Sequence, residues 1–132
     1  MVESGVGCIV SLGGDGTNRC IAEHAASVPM VPVSTGTNNV IPVMVEGTVA
    51  GLAAGIIASK RVDQDSVTKR CTALEIYVDG ELKDIALVDV AISKERFVGA
   101  RAIWDLSTLN ELFLARSTPS WIGLSSIGSL LF

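Results

Sequence analysis

The stretch Gly13-Gly14-Asp15-Gly16-Thr17 decides the fold that we expect for this chain. It follows an apolar run at residues 8–12 and precedes a helical pattern at residues 18–26. These neighbours predict a buried strand that ends in a glycine loop, which in turn begins a helix. Glycine lets backbone N–H groups approach a ligand closely, and the N-terminus of a helix carries a partial positive charge. The loop is therefore typical of a site for an anion such as phosphate.

Asp15 does not suit a simple phosphate cradle, because its carboxylate repels phosphate. Three roles would explain it: it binds a metal ion, it accepts the proton of an attacking hydroxyl, or it only caps the helix. The first two roles belong to phosphoryl transfer, and the third is structural. Since Asp15→Asn keeps the shape and much of the capping ability of the side chain, the sequence predicts little change in folding.

A second polar loop follows the next apolar run, at residues 30–33. Its side chains at Thr37, Asn38 and Asn39 offer donors and acceptors to ribose hydroxyls or phosphates, although an ordinary Asx-rich turn contains the same residue types. If the two strands are parallel, both loops lie at the carboxyl ends of the strands, where such sheets bind ligands. The sequence therefore predicts that the two loops form one site.

The next segment predicts a helix at residues 47–59. Glycine recurs there at every fourth residue, which gives a stripe of small residues suited to close packing against a neighbour. Residues 60–69 are polar and charged, so we place a boundary within them. The expected division is a partial Rossmann-like nucleotide-binding domain at residues 1–66 and the start of a β-rich domain at residues 67–132.

From Cys71 onward the apolar residues alternate with a period of two. Asp79-Gly80 between alternating runs predicts a β-hairpin. Its second strand is expected to run from residue 81 to residue 92, with Asp89 inside it. A lone carboxylate in such a strand lies either at a bend toward a ligand or on the solvent face. Residues 106–115 have helical spacing. The expected fold class is α/β.

Composition narrows the classes of partner. The chain has 132 residues, of which 48% are hydrophobic and 18% charged, and its net charge of −4 argues against a polynucleotide partner. The most apolar stretch, residues 40–58, is interrupted by Pro42 and Glu46, so we expect no membrane span. The N-terminus has no signal-peptide pattern, which makes the cytoplasm the expected location.

The cysteines and the histidine carry no pattern of a metal site. Cys8, Cys20 and Cys71 have no metal-ligand spacing and are expected to be reduced packing residues. We expect Cys8 in particular to be buried and unreactive. His24, the only histidine, is expected on the surface or in helix packing.

Both ends of the chain read as truncated. Only twelve residues precede the glycine loop, whereas an open parallel sheet needs several strand-helix units. The last residues are apolar. We therefore expect a fragment with little or no catalytic activity by itself.

Taken together, the GGDGT loop, the loop at residues 35–39, the glycine-striped helix and the hairpin resemble the ATP-NAD kinase-like family. Its superfamily joins NAD kinases with diacylglycerol-type lipid kinases. The sequence looks most like the acetoin-catabolism-X-like branch. The resemblance implies a Rossmann-like domain followed by a β-rich domain, with the active site between them.

The resemblance also implies roles for individual residues. Asp15 would be the base for the acceptor hydroxyl, and the second loop and Asp89 would contribute to nucleotide binding. The residues around the phosphates would be Gly13, Gly14, Gly16 and Thr17. ATP and Mg²⁺ are the implied cofactors, and NAD is a possible substrate. Val88 replaces the amide of the Asn-acid pair of NAD kinases. Ser117-Thr118-Pro119 resembles the start of a later substrate loop of the family, but its Gly-Ser-Thr-Ala-Tyr continuation does not follow.

The implied function is thus an ATP-dependent kinase that phosphorylates a hydroxyl of NAD or of a related metabolite. Two alternatives stay open, namely a lipid kinase of the diacylglycerol type and a non-catalytic nucleotide-binding or regulatory protein of a catabolic pathway. The expected partner is a nucleotide or dinucleotide. A homo-oligomer is left open.

Overall fold

A computed structural model describes residues 4–25, 27–96, 105–116 and 123–126. It divides the chain into two compact units, Met1–Thr72 and Ala73–Phe132. The polar and charged residues 60–69 predict this boundary after residue 66. Both units mix short strands with helices or turns, and the first is the one that contains the glycine loop.

The first unit begins with two parallel strands. Strand β1 pairs with strand β2 in a register that runs from Ile9 opposite Met30 to Leu12 opposite Val33. The elements of this unit are β1 (Ile9–Leu12), α1 (Asp15–Ala25), β2 (Met30–Val33), α2 (Gly47–Ala58) and α3 (Gln64–Val67). The parallel pairing predicted from the sequence is confirmed, and α1 begins at Asp15 rather than at residue 18.

The chain leaves β2 and soon returns beside it. Val43 forms an isolated parallel bridge with Val33. The backbone N–H of Ser34 donates to the carbonyl of Val43 at 2.9 Å, and the N–H of Val43 donates to the carbonyl of Pro32 at 3.2 Å. Residues 34–42 are therefore a loop closed at its base by backbone hydrogen bonds.

Helix α2 packs through a different surface from the one expected. Among the described residues, nothing lies within 4 Å of a Cβ built on Gly47, Gly51 or Gly55, so the glycine stripe makes no close packing contact. Ala50 is the buried residue of α2. Because α2 is apolar around most of its circumference, its sequence could not indicate which side faces the sheet.

The close approach occurs instead at the end of α2. A Cβ on Gly7 would lie 2.8 Å from the Cα of Ala58, so the segment before β1 touches the helix backbone directly. At the other end of α2, the Glu46 carboxylate accepts hydrogen bonds from the backbone N–H groups of Thr48 and Val49. The hydrogen bond from the Thr48 backbone is the main reason that the pKa of Glu46 lies below its usual value.

The second unit consists of two antiparallel strand pairs, β3 with β4 and β5 with β6. Its elements are β3 (Leu74–Val78), β4 (Glu81–Ala86), β5 (Asp89–Ser93), a 3₁₀ turn (Leu106–Thr108) and β6 (Leu109–Leu114). The predicted hairpin is confirmed: Asp79 and Gly80 have φ values of 53° and 81°, as a two-residue hairpin turn of type I′ requires.

Two expectations for this unit are wrong. The long strand expected at residues 81–92 is interrupted after Ala86, and Asp89 begins a separate strand. The helix expected at residues 106–115 is mostly β6, which pairs with β5 and has a register shift opposite Ile92 and Ser93. That irregularity disturbs the period of two, and strand pairing outweighs the local spacing of the apolar side chains.

The three cysteines are more exposed than the packing residues that the sequence predicts. Cys8 is only partly buried, and Cys20 and Cys71 are exposed. Burial raises the pKa of the Cys8 thiol, as an apolar setting should. His24 is exposed on the last turn of α1. No helix in the described part of the chain is both long and apolar enough to cross a bilayer.

Candidate functional site

The glycine loop is anchored to the sheet by its backbone. The N–H of Gly13 donates to the carbonyl of Val33 at 3.0 Å, which joins the end of β1 to the end of β2. The N–H of Asn18 donates to the carbonyl of Gly14 at 3.1 Å as the first hydrogen bond of α1. The N–H groups at residues 15–17 consequently belong to the first turn of the helix and have no partner within it.

Different surroundings explain why glycine occurs at the three positions of the loop. A Cβ on Gly13 would lie 2.5 Å from Oγ1 of Thr17, and a Cβ on Gly14 would lie 2.7 Å from Oδ1 of Asn39. Contacts inside the protein therefore explain these two glycines. Gly16 is different, because no described atom lies within 4 Å of a Cβ built on it. Open space beside a backbone in the first turn of a helix suits the close approach of a ligand.

Asn18 is a buried polar residue that the sequence reasoning missed. Its side chain is 1% exposed, and Ser11 on β1 is 2% exposed. The Ser11 hydroxyl donates to Oδ1 of Asn18 at 2.5 Å, and Nδ2 of Asn18 donates to the carbonyl of Gly14 at 2.8 Å. Asn18 thus holds the glycine loop against β1. A serine within an apolar strand, followed by an asparagine in the next helix, was the available signal.

The Asp15 carboxylate joins the glycine loop to the second loop. Oδ2 accepts a hydrogen bond from the backbone N–H of Val40 at 2.9 Å, and Oδ1 accepts one from the N–H of Ile41 at 2.8 Å. In the described part of the chain, no N–H group of α1 donates a hydrogen bond to this carboxylate. The capping role considered above is therefore wrong, and Asp15 has a structural role that the sequence did not indicate.

Asn39 makes the reciprocal contact from the second loop. Its Oδ1 accepts a hydrogen bond from the backbone N–H of Asp15 at 3.3 Å, and its Nδ2 donates to the hydroxyl of Ser34 at 2.8 Å. The Ser34 hydroxyl in turn donates to the carbonyl of Gly36 at 2.8 Å. Asn39 therefore connects the start of α1 with the start of its own loop.

An open pocket of about 310 Å³ lies against the second loop. Its lining combines polar groups with two apolar side chains: Ser34, Gly36, Thr37, Asn39, Pro42 and Met44. Thr37 and Asn38 are both exposed, and of these two residues Thr37 lines the pocket and Asn38 does not. The pocket is a shallow, open depression whose wall offers both polar groups and apolar contacts.

The structure brings both expected loops together, with Gly14, Asp15 and Asn39 in mutual contact. Asp89 lies in the second unit, where it is half-buried at the first position of β5 and opposite Leu114. No group of three or more histidine, cysteine or acidic residues that could hold a metal occurs among residues 4–25, 27–96, 105–116 and 123–126. The glycine loop itself offers one carboxylate, Asp15.

Comparison with known families divides the chain into two matches. Residues 1–62 match the ATP-NAD kinase N-terminal domain, and residues 72–132 match the acetoin catabolism protein X C-terminal domain. The glycine loop, the second loop and α2 all fall within the first match. No solved structure matches the chain.

A curated relative matches the whole chain. Acetoin catabolism protein X of Cupriavidus necator strain H16 is 43% identical over 135 residues, which cover 99% of this chain and 38% of the relative. The chain thus spans about two fifths of the length of that protein. The two domain matches and this relative agree with the resemblance noted from the GGDGT loop. The chain belongs to the ATP-NAD kinase-like family, in the branch of acetoin catabolism protein X.

Proposed function

We propose that this protein contributes the phosphate-binding part of an ATP-dependent small-molecule kinase of the NAD kinase type. Its acceptor would be a hydroxyl of NAD or of a related metabolite, and its reaction would take place in the cytoplasm. The observation that carries the proposal is the tie between Asp15 and the second loop, at the N-terminus of α1. It puts a carboxylate, helix N–H groups and a polar pocket wall at one edge of the parallel strands.

The ATP phosphates would bind at the first turn of α1. Asn39 already accepts the N–H of Asp15, so the N–H groups of Gly16 and Thr17 are the next donors in that turn. The open space beside Gly16 lets a phosphate oxygen reach them, and the helix dipole favours its negative charge. Gly13 and Gly14 would shape this loop through the contacts described above.

Asp15 would act as the base. Each carboxylate oxygen can accept more than one hydrogen bond, so the bonds from Val40 and Ile41 orient the group and leave further lone pairs. The acceptor oxygen would bond to the γ-phosphorus as the bond to the ADP oxygen breaks, and its proton would pass to Asp15.

Mg²⁺ is compatible with this donor set. Such an ion commonly keeps several waters and is held largely by substrate phosphates, so it would bind mainly to the ATP phosphates while Asp15 keeps the role of base. The ion would neutralise charge on the phosphates. Thr37 and Asn38 are exposed on the second loop and would contact the acceptor.

A second candidate is a non-catalytic nucleotide-binding protein. The specific observation in its favour is that backbone N–H groups engage both oxygens of Asp15, which accounts for a carboxylate at this position without any proton transfer. Such a protein would bind ATP at α1 and use the second loop to transmit the binding state.

Turnover and binding by the complete protein separate the two candidates. ATP, Mg²⁺ and NAD are supplied, NADP is measured, and ATP affinity is determined by calorimetry for the wild type and Asp15→Ala. Asp63→Ala is the matched control, because Asp63 precedes α3 without a side-chain cap hydrogen bond. NADP formation that Asp15→Ala abolishes supports the kinase. ATP binding without turnover of any acceptor in a panel of hydroxyl compounds supports the second candidate. Absence of ATP binding overturns both candidates.

A further inference from the structure

We propose that Asn39 is a positioning residue that sets the Asp15 carboxylate, and not a contact to the nucleotide. This inference rests on the proposed function and reassigns a residue that the sequence placed among the nucleotide contacts. Asn39 differs in its surroundings from its neighbours Thr37 and Asn38, which are exposed, because its side chain is partly buried between the two loops.

Both polar atoms of the Asn39 amide are used inside the protein. Oδ1 accepts the Asp15 N–H at 3.3 Å, and Nδ2 donates to the Ser34 hydroxyl at 2.8 Å. The absence of a side chain at Gly14 makes this possible, since a Cβ there would lie 2.7 Å from Oδ1 of Asn39. Gly14 thus serves the contact between the loops.

The hydrogen bonds between the loops are reciprocal. Asp15 accepts the N–H groups of Val40 and Ile41, and the residue just before them, Asn39, accepts the N–H of Asp15. The base of the second loop is closed by the Ser34 N–H to Val43 carbonyl bond. Loss of the Asn39 amide would therefore free the upper part of the loop, and the orientation of Asp15 would be lost with it.

The coupling can be measured without any ligand. Hydrogen–deuterium exchange of the complete protein, followed by mass spectrometry, measures the exchange rates of the Val40 and Ile41 amides. Pro42, the next residue, has no amide hydrogen and adds nothing to the measured exchange. In Asn39→Ala we expect exchange at both amides to rise about five- to tenfold, the factor for the loss of one hydrogen bond. Ser34→Ala should give a smaller rise, and the matched control Asn38→Ala none.

A second measurement separates positioning from direct contact. ATP affinity is measured for Asn39→Ala, Asp15→Ala and the double variant. A positioning residue loses its effect once Asp15 is gone, so Asn39→Ala should change ATP affinity clearly less in the Asp15→Ala background than in the wild type. Additive losses, or weaker ATP binding with unchanged exchange at Val40 and Ile41, would overturn the proposal and make Asn39 a direct contact.

The two proposals fail in different ways. If the wild type binds no ATP, the proposed function is wrong, and faster exchange in Asn39→Ala still supports the coupling between the loops. If exchange in Asn39→Ala equals that of the wild type, the positioning role is wrong, whatever the nucleotide result.

Discussion

The carboxylate of Asp15 accepts the backbone N–H of Val40 at 2.9 Å, although the two residues are 25 positions apart in the chain. Together with the bond from Ile41, this contact makes the glycine loop and the second loop one structural unit. A change at Asp15 therefore affects both chemistry and structure, and the predictions below separate these effects.

Asp15→Asn should destabilise the protein, contrary to the sequence-based expectation. An amide has one acceptor oxygen, so its NH₂ group would face a backbone N–H of Val40 or Ile41 and leave that donor unsatisfied. We expect the free energy of unfolding to fall by about 1–3 kcal/mol. If Asp15 is the base, turnover falls roughly 10²–10⁴-fold as well.

Urea unfolding and turnover of the same samples test this prediction. Asp63→Asn serves as the control for a change of charge at an aspartate without a side-chain cap bond. Wild-type stability of Asp15→Asn would mean that the contacts to the second loop contribute nothing.

Asn18→Ala should be destabilising without directly affecting ligand binding. It leaves the Ser11 hydroxyl without its buried partner and removes the side-chain hydrogen bond to the Gly14 carbonyl, which keeps the bond from the Asn18 backbone N–H. We expect this change to cost about 1–3 kcal/mol of unfolding free energy. The double change of Ser11 and Asn18 to Ala should cost less than the sum of the two single changes, because both remove one hydrogen bond. Chemical unfolding measures all three variants, and additive losses would argue against the pair.

Gly14→Ala and Gly16→Ala should have opposite effects on stability. The new methyl group at position 14 collides with Asn39 and should disturb the loops, whereas the one at position 16 enters open space within α1. Gly16→Ala should leave the protein as stable as the wild type, or more stable by about 0.4–1 kcal/mol. If phosphate approaches Gly16, the same variant should bind ATP more weakly. Thermal melting and calorimetry give both results, and unchanged ATP affinity would exclude Gly16 from the phosphate site.

The cap of α2 should make stability depend on pH. The Thr48 hydrogen bonds hold the pKa of Glu46 below its usual 4.5 in the folded state, so its contribution is present above pH 4.5 and is lost as the pH falls through the folded-state pKa. The melting temperature of Glu46→Gln should therefore lie below that of the wild type at neutral pH and converge with it in acid. Glu23→Gln, at an exposed position of α1, is the control. A difference that is constant with pH would contradict this origin.

The three cysteines should react with a thiol reagent at different rates. Cys20 and Cys71 are exposed, whereas Cys8 is partly buried and its pKa is raised by that burial. At neutral pH less thiolate forms at Cys8, so its modification should be the slowest. Mass spectrometry of native samples after short labelling gives the order, and fast labelling of Cys8 would mean that the segment just before β1 does not shield the thiol.

The sequence by itself determined those features that depend on residues close to one another in the chain. The turn at Asp79-Gly80 follows from backbone conformations that few residues other than glycine, asparagine and aspartate adopt readily. The glycine loop between β1 and α1 follows from the change of pattern between an apolar run and a helical segment. The parallel pairing of β1 and β2 followed from the short helix between them.

Tertiary structure alone decided where the polar side chains find their partners. Nothing near Asp15 in the sequence indicates Val40 and Ile41, because the closed base of the second loop brings those N–H groups to it. Likewise, residues 109–114 form strand β6 because they form backbone hydrogen bonds with β5. Local side-chain chemistry specifies turns and helix starts, whereas hydrogen bonds between distant residues depend on how the whole chain closes.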